Sequence, residues 1–486
     1  MRDMLTLQQT LAWLDNARLV ESDIGSDVDS GAVSFRRVHT DTRTLEPGDL
    51  FVALRGERFD ANDFLAEAKA KGAVAALCQE DEPGDVDARL RAAGLPGLVV
   101  ADAKLALAAL ATGWRAQFTL PLIAVTGSNG KTTVTQMIAA ILRSFKPQAF
   151  LATQGNLNND IGVPLTLLRL RSQHEVAVVE LGMNHPGEIA SLAAIARPTV
   201  ALVNNAQREH LEFMASVAAV AQENGCVIDA LASNGVAVFP CDDPYTGLWA
   251  AKAGQRAVLQ FCVSDDAANG ADVRCTEALW SGDAWQVVVN TPAGTLRYAL
   301  HIAGLHNVKN SLAALACTLA AGVPLDSIAR GLAAFEPVKG RSRALVIKLG
   351  ARPITLVDDS YNANPDSVQA AIELLAALPK PRLLVLGDMG EVGDHGPQFH
   401  TEAGQLARTL GIDALFTLGD LSALAATSFG AGRHFSDLQS VQAAVLAELP
   451  RIGSVLVKGS RFMKMERVVA AIVNDAQQGK EESHAL

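Results

Sequence analysis

The sequence lacks most of what would tie it to a membrane, an oxidising compartment or a nucleic acid. Although 49% of its residues are hydrophobic, no uninterrupted apolar stretch approaches the roughly 20 residues that a bilayer span needs. Its opening stretch, MRDMLTLQQTLAWLDNARLV, carries internal charges and lacks the apolar core and small-residue cleavage site of a secretory leader, and it reads as an amphipathic helix. Six cysteines, Cys78, Cys226, Cys241, Cys262, Cys275 and Cys317, form no CxxC pair and no ligand-like spacing. They read as buried apolar residues of a reducing compartment. Basic charge is also short: 41 Lys and Arg against 52 Asp and Glu leave a formal charge of −11. That balance argues against the basic face of a nucleic-acid binder and leaves room for a local basic pocket around phosphates. No internal repeat or low-complexity segment is present. The expectation is a soluble cytoplasmic protein with small-molecule partners, and 486 residues suit about three domains.

One stretch organises the rest, PLIAVTGSNGKTT over residues 121–133. Leu122 to Val125 form the short apolar run of a buried parallel strand, and it stops at Thr126-Gly127. Gly127 and Gly130 allow the backbone to bend and approach an anion. The residues from Thr132 to Phe145 have helical apolar spacing, so the helix N-terminal amides face the loop. This is a phosphate cradle, with Lys131 reaching the outer phosphates and the Thr132 hydroxyl placed for a magnesium ion. It lacks the first glycine of the general phosphate-loop pattern, since Val125 stands there.

Up to about residue 102 the chain mixes a helix with the strands GDLFVAL (48–54), AVAALCQ (73–79) and GLVVAD (97–102). The polar stretches between them hold Asp41, Arg43, Arg55, Arg58, Asp60 and Asn62, donors and acceptors suited to a sugar diphosphate or a uracil edge and equally to a solvated surface. From about 103 to 338 strands and helices alternate, which predicts a mainly parallel sheet covered on both faces. Its strands are LIAVT, VAVVELG (176–182), TVALVNNA (199–206) and VAVFP (236–240), and a hairpin at Thr291 to Gly294 closes its edge. A second alternating block runs from about 339, with strands ITLVDDS (354–360), RLLVLGD (382–388), ALFTLG (414–419), HFSD (434–437) and SVLVKGS (454–460). The tail QQGKEESHAL reads as frayed.

Ligands in such sheets sit at strand carboxyl ends. Glu180 ends one strand and is the first candidate for the carboxylate that holds a metal near the cradle, although a glutamate there can equally cap a helix. His210 leaves the next strand in a loop and is a second candidate ligand or a surface residue. The amide-rich run TQGNLNND (153–160) suits peptide recognition or plain turns. DDSYNANPDS (358–367) places Asp359 and Asn362 where a ribose fits, and VKGSR (457–461) offers Lys458 and Arg461 as a carboxylate clamp; turn and cap roles remain open for both.

Together these stretches resemble the Mur ligase family, the ATP-dependent amide-forming enzymes that build the peptidoglycan peptide. AVTGSNGKTT is similar to its phosphate loop, which also lacks the first glycine, and the match runs from about residue 38 almost to the end. The resemblance implies an α/β fold of three domains. These are a small α/β UDP-sugar domain (1–102), a central ATP-binding phosphate-loop domain with a doubly wound, mainly parallel sheet (103–338), and a Rossmann-like C-terminal domain (339–486). TQGNLNNDIGVPLTLL, VVELGMNHPGEI, LGDMGEVG and VLVKGSR resemble the branch that joins D-alanyl-D-alanine to a UDP-N-acetylmuramoyl tripeptide. The implied cofactors are ATP and Mg2+, and nothing in the sequence requires more than a monomer. The resemblance gives Lys131, Glu180 and His210 catalytic roles, with Thr132, Glu180 and His210 at the metal. Gly127, Ser128, Asn129, Gly130, Lys131, Thr132, Thr133, Asn307 of GLHNVKN, Arg341, Asp359 and Asn362 would hold the nucleotide. HTDTR and GERFDAND, through Asp41, Arg43, Arg58 and Asn62, would hold the UDP-sugar, while Asn156, Asn158, Asn159, Arg208, Lys458 and Arg461 would contact the peptide substrates.

One position departs. The family usually has a lysine on the helix after His210, carbamylated so that its carboxylate bridges metal ions, and AVAQENGCVI has Asn224 there. No lysine occurs between Lys146 and Lys252. Glu223 is adjacent, but neighbouring helix positions point about 100° apart, so it does not take the lysine's place. Among other readings, a sister ligase would lack the asparagine-rich strings, a folate polyglutamate ligase shares the loop without the UDP-sugar domain, and a nucleotide switch would show no synthesis.

Overall fold

The computed structural model describes residues 3–21, 29–82, 84–263, 270–281, 283–349 and 352–484, with side chains to residue 477. The chain divides into two compact units. Met1–Ala124, Gln148–Gly182 and Ala190–Pro198 form one, and Val125–Pro147, Met183–Ile189 and Thr199–Leu486 form the other.

In the first unit a five-stranded sheet runs in the order Arg18–Val20, Gly97–Val100, Ala75–Gln79, Asp49–Ala53, Arg37–His39. All neighbours are parallel except the Arg18–Val20 edge. Parallel strands covered on both faces need continuous apolar runs, and DLFVA and GLVV are buried at every position. Phe51, Leu65, Leu90 and Leu95 fill one side of this sheet. Phe150–Ala152 pairs in parallel with Val176–Glu180.

The expected N-terminal amphipathic helix is limited to Leu7–Leu11. Thr6 and Gln9 close a reciprocal capping box that starts it. Leu5–Thr6 pairs with Ser34–Phe35 on its N-terminal side, and Arg18–Val20 joins the sheet after Asn16 turns the chain at φ 53°. Strand pairing thus captures apolar residues that helical spacing alone assigned to one face.

In the second unit Val200–Val203, Val236–Pro240, Ala257–Cys262 and Val273–Ser281 pair successively in parallel. Two antiparallel pairings then add Ala284–Thr291 and Gly294–Leu300, joined at the expected Thr291 to Gly294 turn. A six-stranded sheet follows in the order Arg343–Leu349, Arg352–Asp359, Ser454–Lys458, Arg382–Gly387, Ala414–Leu418, Arg433–Phe435. Only its first pair is antiparallel. Alternate residues of the central strand separate two cores, Leu384 and Leu386 on one face and Leu383 and Val385 on the other. The final helix, Glu466–His484, extends through most of the tail expected to fray, and Ala485 and Leu486 lie outside the described residues.

No disulfide joins the six cysteines. Four are buried, while Cys226 and Cys241 are half-buried. No helix among the described residues is long and apolar enough to cross a membrane.

Candidate functional site

The strand Leu122–Thr126 delivers the chain to a loop whose shape depends on two glycines. Gly130 sits at φ +83°, where a Cβ would lie 2.5 Å from Asn310 Oδ1 and 2.7 Å from Asn204 Nδ2. Gly127, at φ +131°, would bring a Cβ to 2.9 Å from the Asn204 backbone nitrogen. Side chains at either place are excluded both by the left-handed backbone and by the amides packed against it. The helix Lys131–Phe145 starts immediately after the loop, and its apolar positions from Val134 to Leu142 are buried. A helix start of this kind, with its N–H groups and dipole directed at the loop, favours an anion there.

Lys131 is fixed rather than free. Its Nζ donates to Gly127 O at 2.5 Å, Ser128 O at 3.0 Å and Glu209 Oε2 at 3.2 Å. Asn129 donates its backbone N–H to Asn205 Oδ1 at 2.8 Å, and its side-chain Nδ2 to Gln207 Oε1 at 2.7 Å. A relay of amides then joins the loop to the helix Leu305–Ala320. Asn204 Nδ2 donates to Asn129 O and to Asn310 Oδ1, Asn310 Nδ2 to Asn307 Oδ1, and Asn307 Nδ2 to Ala303 O, all between 2.7 and 3.0 Å. Gly127–Thr133 and Asn307 are therefore brought together. Glu209, Asn204 and Asn310, which the sequence reading missed, hold them there.

From the helix Val217–Asp229, Asn224 is fully buried, and its Oδ1 accepts from Thr126 Oγ1 at 2.6 Å and from Gly127 N at 3.0 Å. Next to it Glu223 accepts from Ile189 N at 2.9 Å, capping the start of the helix Glu188–Ala196.

Several loop-side residues meet the C-terminal part of the same unit. Asn129 and Asn364 exchange side-chain hydrogen bonds at 2.9 and 3.3 Å. Arg208 donates its backbone N–H to Asp366 Oδ2 at 2.6 Å and its guanidinium to Asp366 Oδ1, with Glu402 at 3.2 Å and the Phe399 ring beneath it. His210 Nδ1 lies 2.7 Å from Glu391 Oε2, which holds that carboxyl below its usual range. Both residues have left-handed backbones, at φ 49° and 57°, the kind of local strain that surrounding contacts must maintain.

Asp359 and Lys458 form a largely buried pair at 2.6 Å, and Lys458 Nζ also donates to Asn362 O at 3.0 Å. Burial would raise the Asp359 pKa, but the Lys458 ammonium and the Ser342 N–H hold it below the ordinary carboxylate value. The Lys458 ammonium thus already has its carboxylate. Arg341 stacks over Tyr361 at 4.2 Å, and Arg461 is exposed and paired with Glu466 at 3.1 Å.

The other unit contains the remaining candidates. Glu180, almost fully buried, takes Asn158 Nδ2 on Oε1 at 2.8 Å, and its backbone N–H donates to Thr153 Oγ1. Asn159 Oδ1 accepts from Gly162 N at the start of a helix, and Asn156 is exposed. The amide-rich run is thus part carboxylate support and part turn. Asp41 caps the turn Thr42–Thr44, and the Arg43 guanidinium and backbone N–H hold its carboxyl down at about 2. Arg43 and Arg58 are exposed, and buried Asn62 donates to Gln79 O at 2.8 Å.

Thr132 is buried beside Lys131, and two buried oxygens of the loop surroundings, Glu209 Oε1 and Asn204 Oδ1, have no hydrogen-bond partner. Such oxygen donors suit Mg2+, which binds through few protein ligands together with water and substrate phosphates. No cluster of three or more His, Cys, Asp or Glu that could hold a metal ion forms among the described residues. The residues fit one cation. They do not fit a second at the place the resemblance implies, because Asn224 brings no carboxylate and Glu223 is committed to Ile189.

Three family models match successive stretches: the Mur ligase family catalytic domain over residues 34–115, the Mur ligase middle domain over 125–318 and the Mur ligase glutamate ligase domain over 342–461. A relative from Escherichia coli (strain K12), the UDP-N-acetylmuramoyl-tripeptide--D-alanyl-D-alanine ligase, is 41% identical over 92% of this chain and 96% of its own. Among solved structures, MurF from Acinetobacter baumannii superposes with a TM-score of 0.85 at 33% identity, covering 97% of this chain and 99% of that one. MurF ligase from Thermotoga maritima, in complex with ADP, superposes with a TM-score of 0.78 at 27% identity, covering 91% and 98%.

Proposed function

Because this chain belongs to the Mur ligase family, we propose from its near full-length similarity to the tripeptide ligase that it joins D-alanyl-D-alanine to UDP-N-acetylmuramoyl tripeptide at the expense of ATP. The product is the UDP-linked pentapeptide used for peptidoglycan. ATP phosphorylates the terminal carboxylate of the tripeptide, and the amine of D-Ala-D-Ala attacks the resulting acyl phosphate and expels phosphate. The observation that carries this reading is the 41% identity across 92% of the chain to a ligase of that name; the glycine-shaped, lysine-braced loop supports it.

Two anions must approach each other, so the chemistry needs positive charge and donors fixed in advance. Lys131 supplies a positioned ammonium, and the start of its helix supplies amides. By the family resemblance, Thr132, Glu180 and His210 would hold a magnesium ion, which when bound offsets charge on the phosphates. Asn307, Arg341, Asp359 and Asn362 are assigned to the nucleotide, Asp41, Arg43, Arg58 and Asn62 to the UDP-sugar, and Asn156, Asn158, Asn159, Arg208, Lys458 and Arg461 to the peptide substrates. The boundaries near residues 102 and 338 separate the three domains, and the C-terminal domain closes on the central one before each turnover. The enzyme works as a monomer in the cytoplasm, where ATP and UDP-sugars are found.

The test is phosphate release from ATP with UDP-muramoyl tripeptide, with and without D-Ala-D-Ala, while product mass is followed. Release that needs both substrates and gives the pentapeptide is expected. Release indifferent to both would overturn the reading.

A further inference from the structure

Asn224 is oriented by chemistry that leaves no choice. A backbone N–H can only donate, so the atom of the Asn224 amide facing Gly127 N must be the oxygen, and Thr126 Oγ1 donates to the same atom. The amide nitrogen is thereby fixed as the other end of the group. It lies two bonds from an oxygen at the base of the phosphate loop, it is fully buried, and it has no hydrogen-bond partner. A buried, unmatched amide donor is costly, and protein interiors match nearly all of them. An N–H2 held this way beside a loop shaped for an anion matches an acceptor brought by the ligand.

Resting on the ligase reading above, we infer that Asn224 is a substrate-binding residue, its Nδ2 donating to an oxyanion of the bound substrates, either a phosphoryl oxygen of ATP or the carboxylate oxygen of the tripeptide. At the place where the family resemblance implies an anionic, metal-bridging carbamate, this chain has a neutral donor that meets the oxyanion directly. One negative charge fewer stands beside the reacting anions, and the cation that would have balanced it has no function there. The same side chain braces Thr126 and Gly127, so the donor and the loop it serves are positioned as one body.

Two measurements test this. The first is a crystal structure of the wild-type enzyme with Mg2+, β,γ-imido-ATP and UDP-muramoyl tripeptide. Nδ2 within about 3.2 Å of a ligand oxygen is the expected result, and the identity of that oxygen distinguishes phosphate from carboxylate. Nδ2 bonded only to water or protein overturns the inference. The second is calorimetry of Asn224→Asp without divalent cation, titrated separately with each of these two ligands. Aspartate keeps the acceptor for Gly127 and Thr126, and with it the brace, but replaces the donor by a negative oxygen. Affinity for the ligand that supplies the oxyanion should fall at least about 10-fold, a loss in the range expected for turning a charge-assisted bond into a repulsion. Unchanged affinity for both ligands overturns the proposal. Should the variant fold poorly, the wild-type crystal structure decides alone. A wild-type enzyme that binds neither ligand even with Mg2+ would instead refute the ligase reading.

Discussion

At the scale of single residues, Lys131 shows how a flexible side chain becomes a fixed charge. Lysine ordinarily retains much rotamer freedom, yet here two loop carbonyls and Glu209 define its position. Lys131→Ala should lower the ligation rate by roughly 10² to 10³ or more, by analogy with removing a preorganised donor at developing charge. It also leaves the buried Glu209 carboxylate without its cation, so melting temperature should fall together with rate. A near-normal steady-state rate would remove the loop from the mechanism. Asn224 leads to a second expectation at this scale. An amide cannot form a carbamate, and no lysine lies between Lys146 and Lys252 to do so. The rate in buffer stripped of carbon dioxide should therefore be unchanged when bicarbonate is returned, and a rise on adding it would contradict the expectation.

At the scale of elements, the loop after Val200–Val203 touches two partners at once: the phosphate loop through Asn205 and Gln207, and the helix Pro365–Ala376 through Arg208. Arg208 and Asp366 are both mostly shielded from solvent, so their pair is less screened than a surface bridge. A double-mutant cycle on Arg208→Ala and Asp366→Ala, read by urea unfolding, should give a coupling of about 0.5–3 kcal/mol. Coupling indistinguishable from zero would mean that these elements associate without the pair. Much of this architecture was legible beforehand, because parallel strands must be continuously apolar, and LIAVT, VAVVE and VAVFP are buried along nearly their whole length. The contacts were less legible. Nothing local links Lys131 to Glu209 or Asn310 to Asn204, since chain topology alone makes them neighbours. Local sequence suggests Lys458 as a clamp for a ligand carboxylate and shows nothing of Asp359, nearly a hundred residues earlier, with which it pairs in the fold. Local periodicity also misread the N-terminus, where pairing with Ser34–Phe35 and with Gly97–Val100 outweighed helical spacing.

At the scale of the whole molecule, the buried histidines and the paired carboxylates act in one direction in the response to pH. Burial holds His306 and His400 below the usual histidine value, and the same effect lowers His39 and His174. A histidine whose folded pKa is depressed contributes fully while pH stays above its unfolded value of about 6.5, and loses that contribution as pH falls from there toward the folded pKa. His400 illustrates the cause: its Nε2 accepts from Met389 N at 3.0 Å, and its other ring nitrogen contacts Gly396 O at 2.7 Å, so a second ring proton would face a donor. The carboxylates act in a lower window. Asp359, through Lys458, and Glu391, through His210, have depressed folded values, as does Asp41 through Arg43. Their contribution is complete above about pH 4 and disappears as pH falls through the folded values. Both sets have the same sign, so nothing among them offsets the loss on acidification. The midpoint of urea unfolding should therefore fall between pH 7.5 and 5.5 as the histidines become protonable, and fall again below pH 4 as the paired carboxylates are discharged. Replacing His400 by Gln, which keeps an acceptor and a donor but does not titrate, should flatten the upper step while leaving the lower one in place. A midpoint constant from pH 7.5 to 5.5 in the wild-type chain would show that these buried rings have no net effect on its stability.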